Sequence, residues 1–137
     1  MGGDLKARAG LQSLDSMRDK DITFFMLANQ LPLLQMGEPA PVVAGQKPQY
    51  CGAGAPKIRE SWFKSLSIVA FSDPNDILSY AIPQSFTDDF MDSRLCATTT
   101  NVVVSVARQV SLAVTSIASP QVAHTAYEGD ERVLGLI

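Results

Sequence analysis

Leu66-Ser67-Ile68-Val69-Ala70-Phe71-Ser72-Asp73-Pro74-Asn75-Asp76-Ile77-Leu78-Ser79-Tyr80-Ala81-Ile82-Pro83 is the stretch on which the fold turns. Leu66 to Phe71 is apolar and β-branched, of a length that suits a buried strand. Ser72 to Asp76 is turn chemistry: Pro74 cannot donate to a strand ladder, and Asp and Asn side chains close tight turns. Asp73 and Asp76 therefore crown the carboxyl end of a buried strand, the edge at which open α/β sheets carry their working residues. His124, the only histidine in the chain, follows after one further apolar strand. An acid at a strand end and a histidine on a later loop match the last two terms of the order nucleophile, acid, histidine.

Outward from that stretch, the chain alternates helix and strand signals. Leu11, Leu14 and Met17 share one face of a helix predicted over Met1 to Asp21, with Leu5 and Ala9 roughly continuing it. Ile22 to Ala28 is apolar on both faces, which predicts a central strand covered on both sides. Gln30 to Pro56 is broken by Pro32, Pro39, Pro41, Pro48 and Pro56 and by glycines, and reads as a long loop. Pro56 to Lys64 predicts a short helical turn bearing Trp62 and Phe63. Ser85 to Asp92 predicts a short helix with Ser85 as cap. Thr98 to Val106 has the strongest strand propensity in the chain. Val110 to Ala118 fits neither period and reads as loop. A Pro-started loop from Ser119 to Tyr127 carries His124, and a last helix begins at Gly129 with Asp130 as its cap. The rhythm is that of a single α/β domain with about three central strands in a mainly parallel sheet, flanked by helices.

Composition narrows the function classes. Of the 137 residues, 46% are hydrophobic and 18% charged, enough apolar content for a packed core. The 11 basic residues are scattered and the net charge is -3, which argues against a nucleic-acid partner. The apolar run Ile22 to Met36 is too short and too interrupted to span a bilayer. Cys51 and Cys96 match no metal spacing; both are expected as free thiols, and with no signal peptide in view the expected location is cytoplasmic.

Three segments carry a resemblance: Phe25 to Leu34 (FMLANQLPLL), Ser72 to Tyr80 (SDPNDILSY), and Ala123 to Tyr127 (AHTAY). In that order they resemble the carboxyl-terminal part of a serine-esterase or lipase-like α/β hydrolase, over Ile22 to Ile137. Asn75-Asp76-Ile77-Leu78 with Ile82-Pro83 is similar to the lipase pattern of an Asp at a strand end, two aliphatics and a Pro. Trp62-Phe63 ahead of the acid strand fits as well. The resemblance implies Asp76 as catalytic acid, with Asp73 as alternative, His124 as general base, and a small-molecule ester as substrate, without cofactor or metal.

The departure from that pattern is large. No Gly-x-Ser-x-Gly occurs in the chain. Ser13 and Ser16 fall in a helical stretch, not on the strained strand-to-helix turn that a nucleophile requires. The oxyanion donors are missing with the nucleophile. Cys51 as a substitute has no activating neighbour in sequence. The expectation is a piece of a serine hydrolase that begins after its nucleophile and is inactive by itself. The rival from another class is a non-catalytic binding module, with Asp73, Asp76, Asp88 and Asp89 as an acidic or cation-binding rim.

Overall fold

In a computed structural model, residues 16–43, 47–107, 110–112, 115–117 and 119–137 are described. The apolar, β-branched runs form a small open sheet of three parallel strands: β1 (Asp21–Met26), β2 (Ser65–Ser72) and β3 (Ala97–Val103), in the order β1-β2-β3. The short helices are α1 (Leu31–Leu34), α2 (Lys47–Tyr50), α3 (Gln84–Phe90), α4 (Pro120–Thr125) and α5 (Glu131–Leu134). The α/β character read from the sequence stands. The predicted helix over Met1 to Asp21 lies almost wholly outside the described residues.

Three expectations are corrected. β1 is not the central strand: β2 lies between β1 and β3, and Phe24 of β1 is 51% exposed. Apolar residues on both faces mark a strand that can be covered, but they do not give its position in the sheet. Within the stretch read as loop, residues 110–112 and 115–117 form an antiparallel pair, β4 (Val110–Leu112) with β5 (Thr115–Ile117), Val110 opposite Ile117 and Leu112 opposite Thr115. Strands this short leave no measurable period in the sequence. His124 lies on a helix, α4, and not on a loop. Pro120 occupies the first helical turn, where its missing N–H costs nothing and its fixed φ suits a helix.

The described residues fall into two compact units. The first takes Pro39–Ser67, Gln84–Thr98 and the residues up to Thr23. Tyr50, Phe63, Leu66 and Phe86 are buried in it. The Arg94 guanidinium lies 4.8 Å over the Trp62 ring, and Trp62 N–H donates to the Arg94 carbonyl at 2.8 Å. Here the structure corrects the cysteine expectation: Cys51 and Cys96 form a disulfide, with a Cα–Cα distance of 5.4 Å. Their separation of 45 residues hides the pairing in sequence, because the crossover through α3 is what returns the chain to residue 51. The pair lends no support to a reducing compartment, and a disulfide-bonded Cys51 is no thiolate nucleophile.

The second unit takes Phe24–Glu38, Ile68–Pro83 and Thr99–Ile137. Its core is Phe71, Val106, Tyr127 and Val133, with Phe25, Val69, Val102 and Val104 packed against them. Tyr127 and Val133 come from the carboxyl-terminal turns, so the end of the chain closes the core that β2 opens. Asp130 caps α5 as the sequence predicts, accepting from Arg132 N–H at 2.9 Å and from Val133 N–H at 3.4 Å. Val133 is buried, whereas Leu134 and Ile137 are exposed.

Candidate active site

β2 runs buried to Ser72 and stops where Pro74 forbids another ladder bond. Asp76 N–H donates to the Asp73 carbonyl at 2.9 Å, closing a tight turn with Pro74 and Asn75 in the middle. The two carboxylates of this turn have separate tasks. Asp73 Oδ1 accepts from the Asn75 N–H and from Asn75 Nδ2, both at 2.8 Å. Asp73 Oδ2 accepts from Val106 N–H at 2.6 Å and Ala107 N–H at 3.1 Å, tying the turn to the segment that leaves β3. Burial alone would raise the Asp73 carboxyl. The N–H groups of Asn75, Ala107 and Val106, together with the Asn75 amide, outweigh it and hold the carboxyl below its ordinary value. Asp73, the alternative acid, is thus a structural anchor, and both its oxygens are occupied.

Asp76 faces the histidine. Its Oδ1 accepts from Leu78 N–H at 3.0 Å, and its Oδ2 lies 2.8 Å from His124 Nδ1. The Asp76 side chain is 1% exposed and that of His124 29%. A buried carboxylate is therefore paired with a partly exposed imidazole. With an ionised carboxylate at Nδ1, the neutral ring carries its proton on that nitrogen and presents a lone pair at Nε2. α4 aims the ring: its amino end is fixed by Pro120, and Ala123, beside His124, is fully buried.

The segment after β1 supplies the other side. Ala28 adopts the left-handed region at φ 51°, which turns the chain sharply as it leaves the strand. Asn29, 1% exposed, then donates from Nδ2 to the Tyr80 carbonyl at 2.7 Å and accepts at Oδ1 from Leu31 N–H at 3.1 Å. Tyr80 N–H returns a bond to the Asn29 carbonyl at 2.7 Å. This clasp leaves Gln30 over the ring, with Gln30 Nε2 3.2 Å from His124 Nε2. Tyr127 lies behind the turn and its hydroxyl donates to Ser79 Oγ at 3.3 Å. Burial raises the Tyr127 phenol above its ordinary value against the opposing effect of that bond.

The structure brings Asp76 and His124 together and assigns Asp73 elsewhere. Asp88, of the proposed acidic rim, has its Oδ1 bonded by Gln84 Nε2 at 2.9 Å. Among the described residues no group of three or more His, Cys, Asp or Glu could hold a metal ion, and no helix is long and apolar enough to cross a membrane. Sequence reasoning missed Gln30. The signal lay in its position: two polar residues, Asn29 and Gln30, directly follow an apolar strand, at the same edge of the sheet as Asp73 and Asp76. Chemically, the arrangement pairs a buried carboxylate with one nitrogen of an imidazole, and any group approaching the other nitrogen must take the place at Nε2 that Gln30 fills. Comparison with protein-family models, with curated proteins and with solved structures gives no match.

Proposed function

We propose that Asp76 and His124 are the orienting carboxylate and the general base of a serine-type ester hydrolase. No nucleophile is assigned within the 137 residues, which hold no Gly-x-Ser-x-Gly. The observation that carries the reading is the 2.8 Å bond between Asp76 Oδ2 and His124 Nδ1, made by a carboxylate that water scarcely reaches. Such a carboxylate fixes the tautomer and stabilises the imidazolium formed when the base takes the nucleophile's proton. The substrate class is a small-molecule ester, and the product acid leaves after hydrolysis of an acyl-enzyme. The acidic-rim alternative is less well supported, since Asp73 spends both oxygens on local N–H groups.

The test is turnover of a chromogenic short-chain ester by the full-length protein. His124→Ala and Asp76→Asn are each expected to lower kcat by about a thousandfold or more. The 137-residue chain by itself is expected to turn over no ester. Unchanged turnover in His124→Ala would overturn the proposal.

A further inference from the structure

We infer that Gln30 is a positioning residue that governs access to the base: its carboxamide N–H occupies the lone pair of His124 Nε2 and must leave before any hydroxyl can be deprotonated there. The inference deepens the hydrolase reading, on which its functional meaning rests.

The geometry is specific. In the neutral ring, a carboxylate oxygen 2.8 Å from Nδ1 favours the proton on that nitrogen and leaves Nε2 as the acceptor. A carboxamide facing a bare ring nitrogen donates N–H, which is the orientation found, at 3.2 Å. Nor is Gln30 a drifting surface chain. Ala28 in the left-handed region and the Asn29–Tyr80 clasp, with its two 2.7 Å bonds, fix the backbone on the amino side of Gln30. On its carboxyl side Leu33 N–H donates to the Gln30 carbonyl at 2.9 Å and Leu34 N–H at 3.0 Å, so that carbonyl starts α1. The backbone is held, while the half-buried side chain meets the ring through a single-atom contact of 3.2 Å. That combination suits a group that yields to an incoming hydroxyl without disturbing the acid–base pair behind it.

His124 is the only histidine in the chain, which gives a clean measurement on the protein itself. Diethyl pyrocarbonate transfers an ethoxycarbonyl group to an unprotonated imidazole nitrogen, releasing ethanol and carbon dioxide, and the product is followed by its ultraviolet absorbance. Nδ1 is taken by Asp76, so the rate reports on Nε2. Three proteins are compared at one neutral pH, with folding checked by circular dichroism: wild type, Gln30→Met, which keeps bulk and removes the donor, and Gln30→Ala, which removes both.

A hydrogen bond between neutral groups that is lost on substitution corresponds to a rate rise of about two- to tenfold in Gln30→Met. A Gln30→Met rate equal to wild type overturns the inference, even if Gln30→Ala reacts faster, since bulk alone would then be the cause. Should Gln30→Met fail to fold, wild-type proton NMR decides. A nuclear Overhauser contact between the Gln30 carboxamide and the His124 Cδ2 proton, which adjoins Nε2 and not Nδ1, supports the inference, and its absence overturns it. No ester and no nucleophile enter either measurement, so failure of the hydrolase reading would show separately, in the ester assay.

Discussion

Asn29 and Tyr80 exchange hydrogen bonds: Asn29 Nδ2 donates to the Tyr80 carbonyl and Tyr80 N–H donates to the Asn29 carbonyl, each at 2.7 Å. The exit of β1 is thereby fastened to the segment that carries Asp76, and the acid, the base and Gln30 are held in one frame. Asn29→Ala keeps the backbone half of the clasp but leaves the Tyr80 carbonyl and Leu31 N–H without their side-chain partners. At a site this buried the expected cost is about 2–4 kcal/mol. Urea unfolding, with the slope unchanged and the midpoint lowered, is the check.

Asp73 predicts an acid limb. Its carboxyl titrates lower in the folded chain than in the unfolded one, so its contribution is complete at pH values above the ordinary carboxylate value of 3.8. That contribution fades as pH falls below this value and is gone below the depressed folded value. In Asp73→Asn the amide must set either an oxygen or an NH2 group against the Val106 and Ala107 N–H groups. The expected loss is about 1–3 kcal/mol at neutral pH. The difference between variant and wild type should shrink as unfolding is followed downward from pH 4 (about the carboxylate range). A difference that stays constant across that range would sink the prediction.

Cys51–Cys96 closes a span of 45 residues, for which the chain-entropy model gives about 4 kcal/mol of stabilisation. Reduction, or Cys51→Ala with Cys96→Ala, is expected to lower the guanidinium midpoint accordingly. Thiol titration of the denatured, unreduced chain should find no free thiol, and reduction should expose both cysteines. A thiol count that is the same before and after reduction counts against the disulfide.

Phe71 is fully buried at the centre of the second unit's core, against Val106, Tyr127 and Val133. Phe71→Ala is expected to cost about 3–5 kcal/mol. Because Tyr127 and Val133 lean on the same ring, loosening should show first in residues 127–134 as faster amide exchange. Uniform protection loss across β1 and β3 with no earlier release of that segment would contradict it.

The acid strand, its turn and the last cap were legible because each rests on local chemistry: a β-branched run, a proline, and an aspartate ahead of a helix. Leu66 to Asp76 and Asp130 are written in neighbouring residues and needed no tertiary information. β1 was legible as a strand but not as an edge, since position in a sheet is a relation among segments. The Cys51–Cys96 pairing and the Gln30–His124 contact join residues 45 and 94 apart and left no trace in local pattern. Asp73 and Asp76 look equivalent in sequence. What separates them is that one faces backbone N–H groups of the β3 exit and the other a side chain of α4. The histidine helix is illegible for a narrower reason: Pro120 reads as a loop signal, although a proline is equally at home in a first helical turn.

The covalent link between Cys51 and Cys96 has a practical result for anyone handling this chain. A protease that nicks the backbone at any bond between those residues, in the exposed turn around Gly52 to Lys57 for instance, leaves two polypeptides joined through sulfur. Such a clipped sample would migrate as one species under non-reducing electrophoresis and split only when a thiol is added. Its mass would rise by a single water.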